Sequence, residues 1–172
     1  MLSFLVFAVL CTSCLANPAL VYYSFSAAVG GGSGTSFSTY GEGRITGVRL
    51  WEVTSAYITG IQLRYENSWT AIAGRAYGDV LELTLFDDEV IVQVSGKYYI
   101  SNYIYQLMFV TSKGRFLIAG QPTQKSFNFY PIHSESELRM LSGRTNSAGI
   151  TALAAHWGTI YVGEGNSTDL ST

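Results

Sequence analysis

The sequence predicts an all-β domain with a threefold internal repeat. Strand-like alternation recurs along the chain without a sustained helical period. One apolar pattern also occurs three times, with an Ile followed by further apolar residues three and five positions later and by a closing Gly. The copies begin at Ile58, Ile104 and Ile150 and close at Gly74, Gly120 and Gly163. The closing glycines are 46 and then 43 residues apart, a spacing typical of supersecondary repeats. A β-trefoil is the alternative threefold fold.

Composition agrees with β structure. Aromatic residues make up 14% of the chain, charged residues only 13%, and 18 of the 172 residues are Gly, which is typical of strands joined by glycine turns rather than of helices. About 156 residues beyond the leader described next are enough for one domain with a sizeable core. The net charge of −2 argues against nucleic acid and against a polybasic membrane patch.

The first residues, 1–16, are predicted to be a signal peptide. They contain no charged side chain, have an apolar core from Leu2 to Leu10, and end in small residues, so we expect cleavage after Ala16. The apolar run is too short to cross a bilayer, and no later stretch approaches the ~20 apolar residues that a crossing requires. Cys11 and Cys14 both lie in this leader, so the mature chain is predicted to have no disulfide and no thiolate metal site.

The mature chain begins with a predicted strand, Val21–Phe25, that leads into the glycine cluster Gly30–Gly34. Such a cluster lets the backbone approach a ligand closely and offer its N–H groups, although a flexible hairpin loop is the alternative. Ile45–Leu50 and Ile58–Leu63 are predicted to be neighbouring strands. A returning strand is expected to contain Trp69 and Ile72.

Two hairpins are predicted in the middle of the chain. Val80–Phe86 alternates cleanly and is expected to pair with Val90–Val94 across a short acidic turn. Ser95–Ile100 is expected to be a loop with exposed aromatic residues. Ile104–Val110 and Arg115–Ile118 are expected to form the second hairpin.

Further strands are predicted towards the end. Phe127–Tyr130 is expected at a sheet edge because Pro131 follows it, and Glu137–Leu141 is expected to close at Ser142-Gly143. The stretch Ser147–Gly163 is predicted to be a hairpin that turns at Trp157-Gly158, since Gly can adopt a positive φ there.

Few residues in the chain suggest chemistry. His133 and His156 are the only histidines, and neither has a partner at metal-ligand spacing. His156 is predicted to be structural, because catalysis needs converging partners. No Gly-x-Ser-x-Gly motif is present, and no cysteine nucleophile is expected after cleavage. We therefore predict no enzyme, no metal site and no cofactor, and a secreted hydrolase ranks last among the functions considered. Asn166 lies in an Asn-Ser-Thr sequon and is a predicted glycosylation site.

Seven motifs in this order resemble the jacalin-type lectins, and most closely an animal group of them associated with zymogen granules. The motifs are Gly30–Gly34, Ile45-Thr-Gly-Val48, Tyr57–Tyr65, Val92–Tyr98, Phe109–Arg115, Leu141–Arg144 and Ile150 to Trp157. The resemblance covers about residues 21–163, which leaves 164–172 as a short C-terminal tail. It implies a β-prism of three four-stranded antiparallel Greek-key sheets with pseudo-threefold symmetry.

The resemblance also implies a carbohydrate-binding site at one end of the prism. Carried onto this chain, its residues are Gly32, Ser33, Gly34, Lys97, Tyr98, Ser147, Ala148, Gly149, Ile150 and Thr151. In the family the last loop usually ends in an Asp whose carboxylate accepts hydrogen bonds from two sugar hydroxyls, and here Thr151 stands at that position. We therefore expect a secreted lectin with weak or altered mannose preference, helped by Tyr98 stacking on a sugar.

The alternative function is a β-prism that has lost sugar binding and serves as a protein-interaction or secretory-granule packing module. In the lectin interpretation the partners are glycans or glycoproteins, and association with membranes is peripheral, through glycans. The expected location is extracellular or the lumen of secretory granules.

Overall fold

A computed structural model describes residues 20–161, and within this range the chain is built from strands and contains no helix. The predicted signal peptide, the predicted tail at 164–172 and Asn166 lie outside the described residues. The strands are β1 Leu20–Phe25, β2 Val29–Gly30, β3 Thr35–Ser38, β4 Ile45–Glu52, β5 Ile58–Tyr65, β6 Ser68–Trp69, β7 Ala73–Gly74, β8 Asp79–Thr84, β9 Ile91–Tyr98, β10 Ile104–Thr111, β11 Phe116–Gly120, β12 Lys125–Phe129, β13 Glu137–Thr145 and β14 Ile150–Tyr161.

The strands form three antiparallel sheets. Sheet I has the order β1-β14-β13-β3, with β2 also paired to β14. Sheet II has the order β6-β5-β4-β8, with β7 also paired to β5, and sheet III has the order β11-β10-β9-β12. The predicted three-sheet prism is confirmed. The β-trefoil alternative is wrong, because the strands form three separate sheets.

The predicted repeat is a structural repeat. Ile58, Ile104 and Ile150 begin β5, β10 and β14, and each is fully buried. Two residues further on, each strand pairs with a glycine. These pairs are Gly60 with Gly74, Gln106 with Gly120, and Ala152 with Gly30. Among the described residues, the third unit therefore closes on Gly30, near the start of the described range, and Gly163, where it was expected to close, lies outside that range.

Backbone crowding explains why glycine closes each unit. Gly30, Gly74 and Gly120 have φ values of +111°, +83° and +87°, a region that L side chains rarely adopt. A Cβ atom at these positions would collide with the carbonyl oxygens of Thr151, Thr59 and Tyr105, respectively. Each of these carbonyls belongs to the residue after the first Ile of its repeat. The repeated glycine therefore marks the same close contact between two backbone segments in each of the three units.

The inner faces of the three sheets share one apolar core. Its largest fully buried side chains are Trp157, Phe109, Leu50, Ile58, Ile61, Leu63, Ile91, Ile104, Leu107, Leu138, Leu141 and Ile150. All three sheets contribute to this set, so the core holds them against one another.

The hairpin predicted at Trp157-Gly158 is wrong. β14 runs without a turn for 12 residues. Trp157 is 0% exposed, and its Nε1 donates to Ser26 Oγ at 3.2 Å. The second half of β14 pairs with β1, where Phe25 lies opposite His156. Because this partner comes from the other end of the chain, the local pattern could not distinguish a long central strand from a hairpin.

The hairpin predicted around Asp87 is also wrong. β8 pairs with β4 in sheet II, whereas β9 pairs with β10 and β12 in sheet III. The turn therefore carries the chain from one sheet to the next, although it has the residues of a hairpin turn. β9 also continues to Tyr98, so Ser95 begins no loop, and β13 continues through Ser142-Gly143 to Thr145. Ile72 lies outside the strands.

Other local predictions are confirmed. β4 and β5 are neighbours, and β10 and β11 form a hairpin. β12 is the edge strand of sheet III. These pairings join segments that are close in sequence, which is why a local pattern was enough to find them.

Candidate functional site

The loop between β2 and β3, which we call the glycine loop (Gly30–Gly34), is hydrogen-bonded to the first residues of β14. The Gly31 N–H donates to the carbonyl oxygen of Thr151 at 2.8 Å, and the Thr151 hydroxyl donates to the carbonyl oxygen of Ser33 at 2.6 Å. The Thr151 side chain is 0% exposed. The predicted site residue Thr151 therefore anchors the loop from beneath through this hydrogen bond, and its side chain does not lie on the outer surface of the loop.

The glycine loop presents its backbone to solvent. Gly32 and Gly34 have φ values of +70° and +90°, and a Cβ at Gly34 would collide with the carbonyl oxygen of Thr145. Gly32 and Ser33 are exposed. Among the described residues, the N–H groups of Gly32 and Ser33 have no acceptor within the chain. These two backbone N–H groups, on a loop that is fixed by hydrogen bonds to β14, are therefore available to a ligand.

The loop between β13 and β14 is held by a side-chain amide. Asn146 Oδ1 accepts hydrogen bonds from the N–H groups of Ala148 at 2.9 Å and Gly149 at 3.1 Å. Of the predicted residues here, Ser147 is exposed and Ala148 is partly exposed, whereas Gly149 and Ile150 are buried. Only Ser147 and Ala148 can contribute much surface. We call the exposed backbone of Gly32 and Ser33, together with Ser147 and Ala148, the loop site.

Two tyrosines missing from the predicted site lie beside it. The rings of Tyr57 and Tyr103 stack with centroids 4.1 Å apart and planes at 14°. The Tyr103 hydroxyl lies 3.4 Å from Asn146 Nδ2, which donates to it. Each tyrosine immediately precedes the first Ile of its repeat, and Gly149 occupies the same position in the third. A Cβ at Gly149 would approach the Tyr57 ring at 3.1 Å. Aligning the repeats would have found these positions.

Lys97 and Tyr98 are directed elsewhere. Lys97 Nζ donates to Ser126 Oγ at 2.8 Å, across the outer face of sheet III. Tyr98 is partly buried and packs against the core, with its ring edge-on to Phe127 at 6.1 Å. The structure thus brings the glycine loop and the last loop together, but it shows no contact of Lys97 or Tyr98 with them. The segment after Tyr98 does approach the glycine loop, since a Cβ at Gly31 would lie 2.9 Å from Asn102 N.

The charge near the loop site is positive. Arg144 donates to the carbonyl oxygen of Gly34 at 2.5 Å, and Thr151 stands where an acidic residue was expected. No group of three or more His, Cys, Asp or Glu residues in the described range could hold a metal ion. The groups that the site offers to a hydroxylated ligand are therefore backbone N–H groups, hydroxyls and the edges of aromatic rings.

Three separate antiparallel sheets, with a glycine loop held against the start of the last strand, define a domain of the β-prism class. A family model described as a jacalin-like lectin domain matches residues 26–156. The chain belongs to this family.

Zymogen granule membrane protein 16 from Rattus norvegicus is 41% identical to this chain over 163 residues, which cover 92% of the chain and 95% of the relative. The Homo sapiens protein is 40% identical over 161 residues, which cover 91% and 94%. Among solved structures, a prostate-specific WGA16 glycoprotein lectin is 30% identical with a TM-score of 0.69, over 78% of this chain and 98% of that one. Malaysian banana lectin has a TM-score of 0.66 at 20% identity, over 79% and 98%, which shows the shared fold.

Membership of this family of carbohydrate-binding proteins confirms the prediction that the chain is not an enzyme. No described helix could cross a bilayer.

Proposed function

We propose that this chain is a secreted lectin that holds a sugar at the loop site. The observation that carries the proposal is the pair of exposed, unpaired N–H groups at Gly32 and Ser33, on a loop that Thr151 clasps from below. Sugar hydroxyls accept hydrogen bonds from such donors, and a loop fixed in advance loses little entropy on binding. The similar prostate-specific WGA16 glycoprotein lectin, at 30% identity, supports a sugar as the ligand.

Mannose binding is expected to be weak. Hydrogen bonds to a charged group contribute ~1.5–3 kcal/mol against ~0.5–1.5 kcal/mol for neutral ones. The loop site offers neutral donors, and its Thr151 hydroxyl already donates to Ser33. Any preference should therefore come from backbone contacts and from the neighbouring Tyr57 and Tyr103 rings, which replace Tyr98 as the candidate stacking surface.

A glycan array with the mature protein tests the proposal, and two variants at Ser33 assign the site. Ser33→Pro removes one backbone donor, whereas Ser33→Ala keeps the donor and removes only the side-chain hydroxyl. Loss of one neutral hydrogen bond of about 1 kcal/mol should weaken binding about fivefold. We expect this loss for Ser33→Pro and wild-type binding for Ser33→Ala. Equal binding by all three proteins would place the sugar elsewhere.

A second candidate function is a β-prism that no longer binds sugar and packs or bridges proteins in secretory granules. The buried Thr151, at the position where the family usually has Asp, favours it. The granule association in the names of its relatives supports it as well. An array without any bound glycan, obtained with protein that unfolds at the normal temperature, would favour this function over the first.

Secretion is part of the proposal. Cleavage after Ala16 would release a chain that starts at Asn17 and lacks cysteine, and its partners would be glycans or glycoproteins outside the cell or in the granule lumen. Intact-mass measurement of the secreted protein tests the cleavage site, and the same spectrum shows whether Asn166 carries a glycan. A mass that includes Met1 would contradict the proposal.

A further inference from the structure

A cleft of about 370 Å³ lies between the loop that joins β3 to β4 and the hairpin of β5 and β6, and we call it the end cleft. Both β3 and β5 begin beside the loop site and end at this cleft, so the two sites lie at opposite ends of the prism. Tyr40 and Glu42 line the cleft from the loop, and Tyr65, Glu66 and Ser68 line it from the hairpin. Its volume is within the roughly 300–1,000 Å³ that ligand sites in proteins typically have.

The end cleft carries two carboxylates without a cationic partner. Glu42 is exposed and makes no hydrogen bond or ion pair within the described chain. Glu66 accepts a hydrogen bond from the Arg44 N–H through Oε1 at 2.7 Å, and its Oε2 has no partner among the described residues. Tyr40, on the same loop as Glu42, is 69% exposed. The cleft therefore combines negative charge with an accessible aromatic ring.

The neighbouring cations are engaged with other groups. The Arg44 guanidinium donates to the carbonyl oxygens of Asp87 and Glu89, on the side of sheet III. Arg139 forms an ion pair with Glu137 at 2.5 Å. Neither guanidinium forms an ion pair with a carboxylate of the end cleft, so the charge of the cleft is left to an external cation.

The corresponding place between sheets II and III provides an internal comparison. The loop from β3 to β4 and the loop from β8 to β9 both contain six residues, so Tyr40 corresponds to Phe86. In each hairpin, one residue precedes the partner of the next-to-last residue of the central strand. This residue is Ser68 in the hairpin of β5 and β6, and Arg115 in the hairpin of β10 and β11. A serine therefore stands in sheet II where sheet III has an arginine.

In sheet III this arginine joins the hairpin to the loop. The guanidinium carbon of Arg115 lies 4.3 Å from the centroid of the Phe86 ring, and its Nη1 lies 2.7 Å from the Glu89 carboxylate. A guanidinium can stack on an aromatic ring and donate to a carboxylate at the same time, because its donors lie in the plane of the group and its faces remain free. An aromatic ring beside a carboxylate at this place thus accommodates a guanidinium.

The end cleft repeats these surroundings without the arginine. Tyr40 supplies the ring, and Glu66 supplies a carboxylate at the place of Glu89. A Cβ at Gly43, the counterpart of Glu89, would collide with Glu66 Oε1. Ser68 has a short, uncharged side chain, so the volume that the arginine takes in sheet III is an open cleft in sheet II.

We propose that the end cleft binds the guanidinium of an arginine side chain from a partner protein, stacked on Tyr40 and hydrogen-bonded to Glu42 and Glu66. The two carboxylates select for a cation, and the planar guanidinium uses the ring and the carboxylates together. The site lies at the other end of the prism from the loop site, so it does not depend on sugar binding. With a sugar at the loop site, the chain would link a glycan to an arginine-bearing protein.

N-acetyl-arginine amide is the probe, since it carries one guanidinium and no other charge. In ¹⁵N–¹H spectra of the mature protein, the shifted amides should be those of residues 40–44 and 66–70, while those of residues 32–33 should not move. N-acetyl-citrulline amide has the same shape without the charge and should bind at least about tenfold more weakly, because charge-assisted hydrogen bonds are lost. Equal binding of the two probes, or shifts centred on the loop site, would overturn the proposal.

Variants at exposed positions assign the site. Glu42→Gln breaks no contact within the described chain and should weaken binding of the arginine probe about tenfold. Tyr40→Leu should weaken it about threefold, because the stacking surface is lost, whereas Tyr40→Phe keeps the ring and should bind like the wild-type protein. Asp88→Asn changes the corresponding acid of sheet III and should leave binding unchanged. Wild-type binding by Glu42→Gln or Tyr40→Leu, or a loss with Asp88→Asn equal to that with Glu42→Gln, would disprove the assignment.

Ser68→Arg gives the end cleft the arginine that sheet III has at this place. Its guanidinium should take the position of the probe, so probe binding should be lost and the temperature of unfolding should rise. Spectra and thermal unfolding of this variant measure both effects. A folded variant that binds the probe as the wild-type protein does would show that the guanidinium does not bind in the end cleft.

Discussion

The hydroxyl of Thr151 holds the glycine loop in place and at the same time leaves the loop site without a negative charge. A carboxylate at this position would lose the hydrogen bond to the Ser33 carbonyl oxygen, since an ionised carboxylate has no proton to donate. Because a carboxylate buried against a carbonyl oxygen is unfavourable, it would displace the glycine loop and turn towards solvent. There it would offer sugar hydroxyls charge-assisted acceptors, which are stronger than neutral ones. The lost neutral bond, about 1 kcal/mol, offsets only part of this gain.

We therefore expect Thr151→Asp to raise affinity for methyl-mannoside about fivefold, or about 1 kcal/mol. Thr151→Asn is the matched control, because its amide can still donate to the Ser33 carbonyl and carries no charge. Calorimetric titration of the three proteins measures the effect. If Asn raises the affinity as much as Asp, the charge is not responsible, and tight wild-type binding that Asp leaves unchanged would place the sugar outside this loop.

Glu89 is a buried carboxylate at the turn that joins sheets II and III. Its side chain is 0% exposed and lies 2.7 Å from Arg115. It accepts hydrogen bonds from the Thr111 hydroxyl at 2.5 Å and the Phe86 N–H at 2.9 Å. Desolvation by burial raises the pKa of Glu89, but these hydrogen bonds and the Arg115 charge outweigh it, so the pKa lies below its ordinary value of 4.5.

A lowered folded-state pKa means that Glu89 contributes stability above pH 4.5, and that this contribution is lost as the pH falls through the folded-state pKa. Glu89→Gln should lower the free energy of unfolding at pH 7 by about 1.5–3 kcal/mol, because the buried group no longer accepts charge-assisted hydrogen bonds from Arg115, Thr111 and Phe86. It should also flatten the decline in stability below pH 4.5. Urea unfolding between about pH 3 and 7 measures both effects, and an unchanged pH dependence would contradict the assignment.

At the scale of single elements, the closing glycines carry the most information about the fold. Gly120 and Gly114 both have positive φ, at +87° and +74°. A Cβ at Gly120 would collide with the Tyr105 carbonyl oxygen, whereas a Cβ at Gly114 would meet nothing within 4 Å. A substitution at Gly114 therefore measures the cost of the positive φ alone, whereas one at Gly120 measures that cost together with the collision.

Gly114→Ala should cost only the left-handed conformation, about 1 kcal/mol. Gly120→Ala adds a collision with backbone that cannot move aside, so it should cost at least about 3 kcal/mol. Thermal and urea unfolding of both variants give the comparison. Equal losses would mean that β11 can shift away from β10, contrary to the crowding described here.

The elements also show why the sequence predicted the prism better than its strand pairing. Ile58, Ile104 and Ile150 carry a pattern that repeats in three dimensions, so the threefold fold could be inferred. The partner of β14 lies at the opposite end of the described chain, and the turn at Asp87 joins two sheets, so the hairpins predicted at these two places are wrong, whereas the hairpin of β10 and β11 is confirmed. Within the candidate site, the resemblance predicted the glycine loop, but the contacts of Thr151 and Tyr103 depend on packing between repeats.

At the scale of the whole molecule, three equivalent sheets have different outer faces. Sheet II is covered by stacked cationic and aromatic side chains, with the Arg49 guanidinium 4.1 Å from the Trp69 ring centroid. Sheet III carries a groove of about 220 Å³ beside Lys97, and sheet I carries one of about 370 Å³ beside Arg144. The repeats also differ at the end that carries the loop site, because Tyr57 and Tyr103 in the first two repeats correspond to Gly149 in the third. The symmetric core is therefore compatible with a binding surface on one repeat only.

Sheet I also closes the molecule, since its strands come from both ends of the described chain. β1 covers the second half of β14, from His156 to Tyr161, and Trp157 of that segment lies in the common core. Deleting residues 20–25 would expose this half of β14 and loosen Trp157. Because sheets II and III pack on the same core, the whole domain should lose stability, and sheet I should not simply fray by itself.

We expect the deletion variant to unfold in one transition at a lower urea concentration than the wild-type protein, since a shared core makes unfolding cooperative. Hydrogen exchange should show protection reduced in all three sheets, including amides of β5 and β10 that do not touch β1. Conservative changes of exposed side chains on the same strand, such as Tyr23→Phe, leave the backbone pairing intact and serve as the control. Protection that falls in sheet I while β5 and β10 keep wild-type values would mean that the sheets unfold independently, and that chain closure does not stabilise the prism as a unit.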